Sequence, residues 1–269
     1  VGKLGVFTNF ELVESSDEKE LFAKPASAST ETDQLGKKVI TRRHSCKDIY
    51  EGMQMIAKVY GFTGFEPNTI LMGMPLKTKD RAKLFETANS LTKLDYNLVF
   101  LNKNKQSNQS KQKQIDLWWN GYSRNLNFGM SLLKYISTDP SWRTSKIRVF
   151  VINYNSSRTD TIYALLNQVL NNSRLLGTVK VINNATEQAP EQDIILSESA
   201  KSDLTILESK IGQHISSDDW YGYLNWVSEM KGTTMLVESG SAFEVIDAKA
   251  EPQSKPNEVE LFKDILRSA

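Results

Sequence analysis

Apolar residues in this chain fall mostly into short runs of strand length, and between those runs the spacing changes to that of helices. Leu4–Thr8 and Lys38–Thr41 read as strands. The stretch from Glu11 to Gly36 is rich in Glu, Ser, Thr and Ala; it offers a helix near Asp17–Ala23 and a mobile loop over Ala26–Asp33. Ser45 is placed to cap a helix whose Ile49, Met53, Ile56, Ala57 and Tyr60 share one face, and Gly61 and Gly64 end it. Thr69–Met74 reads as a buried strand stopped by Pro75, followed by a charged helix over Thr78–Leu94 and the strand Asn97–Leu101.

After Asn102 there is no hydrophobic residue until Ile115, and this polar run is the clearest linker in the chain. Beyond it the alternation is more regular. Strands are expected at Ile115–Trp119, Ile147–Ile152, Val179–Ile182, Leu204–Leu207 and Thr234–Val237. Helices are expected at Phe128–Ile136, Thr159–Leu170, Glu191–Lys201 and Asp218–Met230, and a closing edge strand at Phe243–Ile246. Strand–helix alternation of this kind predicts an α/β fold with mainly parallel sheets covered by helices and joined by right-handed crossovers. Asn68–Met72 and Asp203–Leu207 each bring a polar residue into an apolar strand, which suggests two tandem lobes. The division is an N-terminal α/β lobe over residues 1–104, a linker over 105–114, a C-terminal α/β lobe over 115–249, and a tail with a short helix over 250–269.

Charge changes this picture little. The 33 Lys and Arg nearly balance the 32 Asp and Glu, so no broad surface is expected to bind nucleic acid or anionic lipid. Lys103, Lys105, Lys111 and Lys113 lie in the polar run without an interleaved aromatic residue, which favours a solvated loop over a nucleic-acid arm. One cysteine, Cys46, excludes an intramolecular disulfide and a thiolate-built zinc site, and suits a reducing compartment. No run reaches the roughly 20 apolar residues of a bilayer span, so no direct membrane insertion is expected. The start, at Val1 and without a signal peptide, reads as a domain cut from a longer polypeptide.

Candidate chemistry is sparse. His44 and His214 are the two histidines, and no Gly-x-Ser-x-Gly elbow is present for either to serve. Neither a phosphate-binding Gly-x-x-x-x-Gly-Lys-Ser/Thr loop nor a dinucleotide fingerprint occurs. Gly61, Gly64 and Gly73 end a helix or sit in a strand, where capping explains them better than phosphate binding. Ser239–Ser241 reads as a hairpin turn, with an anion-binding nest as the sharper alternative. Asp218 and Asp219 suit a helix start rather than a metal. Trp118 and Trp119 are adjacent in a strand and must point to opposite faces; like Trp142, Trp220 and Trp226 they are core residues or interface anchors. The chain reads as non-enzymatic, with no cofactor.

Three stretches carry a family resemblance. Gly61–Gly73 places glycines around a helix end and then Pro67, Asn68 and Thr69 before an apolar strand. Ile115-Asp116-Leu117-Trp118-Trp119 is similar to an Ile-Asp-Val-Trp-Trp segment, and Trp142 followed by Lys146-Ile147-Arg148-Val149-Phe150 to a Trp…Lys-Ile-Arg-Val-Phe segment. Together, in this order, they resemble the cytoplasmic C-terminal domain of cation–chloride cotransporters, in the amino acid–polyamine–organocation superfamily. The resemblance implies two universal-stress-protein-like lobes in a regulatory and dimerisation domain. Its expected partners are a second copy and the transmembrane transport domain of the same polypeptide, which moves chloride with potassium, sodium or both. The family-like structural or interface positions are Pro67, Asn68, Thr69, Gly73, Asp116, Trp118, Trp119 and Arg148. Long phosphorylatable insertions of the animal members are lacking, and the short form suits a prokaryotic member. The alternative is a nucleotide-sensing universal-stress-like module, with backbone amides offered near Thr8–Phe10 or Met74–Lys77.

Overall fold

The computed structural model describes residues 7–21, 29–32, 38–60, 67–74, 81–103, 113–212 and 215–248. Two sheets account for most of the strands. In the first, β1 (Phe7–Glu14) pairs in parallel with β3 (Lys38–Cys46), and β2 (Ser29–Thr32) runs antiparallel on the other side of β3; a single turn, α1 (Glu18–Leu21), precedes β2. The register of β1 on β3 runs through to Glu14 opposite Cys46. Strand pairing therefore takes in Glu11–Glu14, expected to lie beyond the first strand, Ser29–Thr32, expected in a mobile loop, and Ser45, expected to cap a helix. Helix α2 (Ile49–Val59) is capped instead by Asp48, whose carboxylate accepts from the N–H groups of Tyr50 and Glu51 and from Lys83 Nζ. The hydrogen bonds and the ammonium group hold this carboxyl below its ordinary range.

The second sheet has seven strands: β4 (Thr69–Gly73), β5 (Asn97–Asn102), β6 (Gln114–Trp119), β8 (Lys146–Asn153), β9 (Gly177–Asn183), β10 (Leu204–Glu208) and β11 (Thr233–Glu238). Their order across the sheet is β4-β5-β11-β10-β6-β8-β9. Five strands, from β11 to β9, are mutually parallel; β4 and β5 are parallel to each other and meet β11 antiparallel. The strands expected from Thr69 and Asn97 thus extend the sheet built by the second half of the chain. Continuous hydrogen bonding from β4 to β9 joins the two halves.

The crossover helices are α3 (Arg81–Lys93), α4 (Asn125–Ile136), α5 (Thr159–Asn172), α6 (Glu191–Glu198) and α7 (Ser217–Val227). Starting at β6, the chain steps outward through α4 to β8 and through α5 to β9. It then returns through α6 to β10, on the other side of β6, and through α7 to β11. Crossovers of one hand place helices on opposite faces when the stepping direction reverses. Accordingly α4 and α5 cover one face, with Leu126, Leu133, Leu166 and Val169 packed on Ile115, Leu117, Val149 and Ile206. Helices α3 and α7 cover the other, with Leu91, Trp220 and Leu224 packed on Leu98, Phe100, Phe150 and Leu207. Strands covered on both faces lose alternation, and all five residues of β10 are buried. The result is a mixed α/β fold with a mainly parallel central sheet flanked by helices.

The closing strand lies elsewhere than expected. β12 (Ile246–Asp247) pairs with β7 (Tyr122–Ser123), the two-residue strand after β6, and not with an edge of the large sheet. Ser239–Ser241 is therefore no hairpin turn. Residues 61–66, 75–80, 104–112, 214 and 249–269 fall outside the description, and with them the expected helix-ending glycines, most of the linker, His214 and the tail helix.

Phe100 ties the antiparallel pair to the rest. It has no exposed surface and meets the Trp220 ring at 5.6 Å. Removing so large a buried ring costs about 3–5 kcal/mol. Phe100→Ala should shift one cooperative urea transition by that amount; a separate early transition would show that β4 and β5 fold independently.

Candidate functional site

The family-like positions fall in separate places. Asp116 and Arg148 face each other across β6 and β8 on the α6–α7 side of the sheet. The guanidinium donates from Nε to Asp116 Oδ1 at 2.8 Å and from Nη2 to Oδ2 at 2.7 Å, and also to the Glu198 carbonyl at 2.9 Å. Ser199 Oγ donates to Asp116 Oδ2 at 2.8 Å and accepts the indole N–H of Trp118 at 2.9 Å. The Trp118 ring stacks on Phe150 at 4.4 Å. Every member of this group is joined to the next, and together they clamp the end of α6 to the sheet. Burial raises the Asp116 carboxyl above its ordinary range, opposed by the hydrogen bonds from Arg148 and Ser199.

Trp119 points the other way, into the core under α4 and α5, and only 2% of it is exposed. Its indole N–H has no hydrogen-bond partner among the described residues. Both adjacent tryptophans are thus packing residues in this chain, and neither presents its ring to a partner. Trp220 is likewise buried, donating to the Ser209 carbonyl at 2.9 Å; Trp142 is half-buried beneath the Lys113 ammonium. Pro67, Asn68 and Thr69 lead into β4. The Asn68 carbonyl accepts both the backbone and the side-chain N–H of Asn97, at 2.9 Å each, which sets the register with β5. Gly73 ends β4 in an open position. His44 lies within β3 in the first sheet, apart from all of these.

The reversal of strand order between β6 and β10 leaves a gap at their carboxyl ends, where open α/β sheets bind ligands. A cleft of about 840 Å³ opens along that edge. Its floor includes Asn120, Asn153 and Glu238, from just beyond β6, the end of β8 and the end of β11. The β6–α4 turn supplies Gly121, Tyr122 and Arg124; the β8–α5 loop supplies Tyr154 and Arg158. Gly121 has φ +93°, a left-handed conformation that brings the backbone sharply round at the mouth.

Glu208, the last residue of β10, anchors this edge. Oε1 accepts from the Asn120 N–H at 3.3 Å and Ser123 Oγ at 2.9 Å; Oε2 accepts from Asn120 Nδ2 at 2.8 Å and Asn125 Nδ2 at 3.4 Å. The Tyr223 hydroxyl donates to its main-chain oxygen at 2.7 Å. Burial outweighs these donors and pushes the Glu208 carboxyl up to about 7, with the nearby Glu238 adding to the rise. Glu238 is itself raised by burial, and receives a hydrogen bond from Ser209 Oγ at 2.7 Å. Sequence reasoning passed over Glu208. Its signal, an acid closing an apolar strand, gains meaning only once β10 is known to neighbour β6.

Ser239–Ser241, the candidate nest, is occupied by the chain's own side chains. The three successive N–H groups donate to Asn125 Oδ1, Asn97 Oδ1 and Asp95 Oδ1 at 2.8, 2.7 and 2.6 Å. Among the described residues no group of three or more His, Cys, Asp or Glu is arranged to hold a metal ion, and no helix is long and apolar enough to cross a membrane.

These features define the class: a universal-stress-like α/β fold whose strand order reverses beside an open cleft. Among solved structures, the chain is similar to the cytoplasmic domain of a prokaryotic cation chloride cotransporter. The TM-score is 0.58 and the identity 12%, covering 92% of this chain and 86% of that one. At that identity the likeness speaks for the fold. The chain matches no protein-family profile and no curated protein sequence.

Breaking a buried ion pair from one side costs about 3–5 kcal/mol, because the remaining charge stays unpaired. Asp116→Ala should lower urea stability by about that much. A loss under 1 kcal/mol would mean that Arg148 simply swings into solvent.

Proposed function

We infer that this chain is a cytoplasmic regulatory domain of a secondary transporter that carries chloride with potassium, sodium or both, and that it catalyses no reaction. The observation that carries this reading is the structural likeness to a cation chloride cotransporter cytoplasmic domain over nearly the whole of both chains. The Ile115–Trp119 and Lys146–Phe150 segments add support, because the residues that resemble the family form one contiguous buried clamp, Asp116–Arg148–Trp118. A sheet covered on both faces is suited to transmit a shift between a partner and an attached transport domain, provided the two arrangements differ in contact energy. In this reading the domain's partners are a second copy of itself and the transport domain of the same polypeptide, at the cytoplasmic face of the cell membrane, as in a compact prokaryotic member of the superfamily.

A second reading, a nucleotide-sensing module, draws on the cleft. It lies at the strand-order reversal, is large enough for a ligand of nucleotide size, and sets two arginines and two tyrosines around its mouth. This is a different locus from the segments around Thr8 and Met74 suggested by sequence.

Two measurements separate the readings. Sedimentation of the isolated domain at high micromolar concentration should give a dimer; a strict monomer counts against the dimerisation role. Calorimetric titration with ATP and AMP should give no heat if the domain acts only through protein contact. Saturable heat, weakened at least fivefold by Arg124→Ala, would favour the nucleotide reading. The transporter assignment itself fails if the full gene encodes no apolar spans of about 20 residues.

A further inference from the structure

The near balance of charge along the chain hides an uneven placement. Because β6, β8, β9, β10 and β11 run parallel, their first residues share one edge of the sheet, where α4 and α5 also end. Lys113 stands just before β6 and Lys146 opens β8; the Lys146 N–H donates to the Lys113 carbonyl at 2.8 Å, so the two are neighbours. Lys134 lies in the last turn of α4, Arg143 in the turns between α4 and β8, and Arg174 just beyond α5. All but Lys113 are exposed. Among the described residues the ion pairs join Lys83, Arg148 and Lys180 to acids, and these cations take no part in them.

Acids do little to offset this corner. Asp139 turns its carboxylate onto the N–H and hydroxyl of Ser141, and Asp203 is buried on the Gln114 N–H. Farther along the same edge Lys201 and Lys231 precede β10 and β11, with the exposed Glu229 near the latter. The opposite edge carries Glu191, Asp193, Asp218 and Asp219 at the starts of α6 and α7.

Apolar and aromatic side chains stand among the cations. Arg174 takes a left-handed φ of +55°, after which Leu175 is buried in the core and Leu176 is 94% exposed. Leu176 comes one residue before Gly177, which pairs with Ile147, so it lies beside Lys146. Tyr135 in the last turn of α4 is 53% exposed, and Trp142 lies half-buried with the Lys113 ammonium 4.0 Å from its ring centre. Helix dipoles reward Lys134 and Arg174 at the ends of α4 and α5. They account neither for Lys113, Arg143 and Lys146 nor for an exposed leucine.

We propose that this corner is a docking surface for the headgroups of an anionic lipid bilayer. Its cations attract the headgroups, Tyr135 and Trp142 suit the headgroup level, and Leu176 can enter the acyl boundary. A nucleic acid would engage the cations but leave Leu176 in water. The acidic edge is repelled by the same surface, so the amino ends of the strands face the lipid. The proposal rests on the transporter reading, in which an attached transport domain holds the corner beside a bilayer.

Sedimentation of the full 269-residue chain with vesicles tests the surface. At low salt the chain should bind phosphatidylglycerol vesicles and not phosphatidylcholine vesicles, and high salt should release it. Arg143→Ala and Lys146→Ala should each weaken binding about fivefold, and Leu176→Ser about threefold. Lys93→Ala, which removes an exposed cation from the other edge, should leave binding unchanged. No binding to phosphatidylglycerol overturns the proposal, as does an equal loss in Lys93→Ala, an undiminished Lys146→Ala or Leu176→Ser, or tighter binding to a DNA duplex than to the vesicles. The transporter reading is decided separately, by apolar spans in the full gene. Vesicle binding without such spans supports the surface and removes the transporter; spans without vesicle binding overturn the surface alone.

Discussion

The large sheet has no solvated face at its centre, and most of what is distinctive in the molecule follows from that. With helices on both sides of β6, a polar side chain on the strand must find its partners inside the protein. Asp116 does so with a guanidinium directly across the ladder and with the hydroxyl of Ser199. The same bonds fix the end of α6, a helix with no fully buried residue of its own. An ion pair in such a place adds less net stability than its short distances suggest, because both charges have been taken out of water. What it supplies is position: α6 can end in one place only, and the chain turns there toward β10.

From the placement of β10 beside β6 comes the reversal in strand order, and from the reversal comes the cleft. Its polar character is concentrated at strand ends. Glu238, Asn120 and Asn153 line the cleft where a strand stops, and Glu208 ends β10 behind them. The asparagines among the lining residues, Asn120, Asn125, Asn153 and Asn155, have short amides suited to bonding with neighbouring main chain and side chains. Asn153 alone donates to the Asn155 carbonyl, to Thr159 Oγ1 and to Asn183 Oδ1. The edge is ordered by side chains, and Glu208 is where several of those bonds converge.

The first half of the chain contributes to the same edge from the opposite direction. Because β4 and β5 run antiparallel to β11, their beginnings lie beside its end. Asn97 and Asp95 therefore meet Gly240 and Ser241 there, and Asn68 bonds to Asn97 behind them. The Pro67-Asn68-Thr69 segment, singled out on resemblance, thus sits one hydrogen-bonded residue away from Gly240.

Local spacing placed β4, β5, β6 and β8 to β11 within a residue or two, because that periodicity is set by burial; it did not show β2 or β7, and it ended β1 and β3 too early. The family resemblance grouped Asp116, Trp118, Trp119 and Arg148, and the two adjacent tryptophans take opposite faces of the sheet, as strand geometry requires. Local signals misplaced the cap of α2, where pairing with β1 kept Ser45 in a strand. They also gave β12 the wrong partner, since a two-residue strand carries no pattern of its own. Contacts between distant segments made β4 and β5 join the second sheet and set β10 beside β6, and so buried Glu208 at the reversal. Strand order is a matter of contacts between residues far apart in the chain, and one sequence records which segments pair with water or with apolar neighbours, not which of several equivalent apolar neighbours they meet.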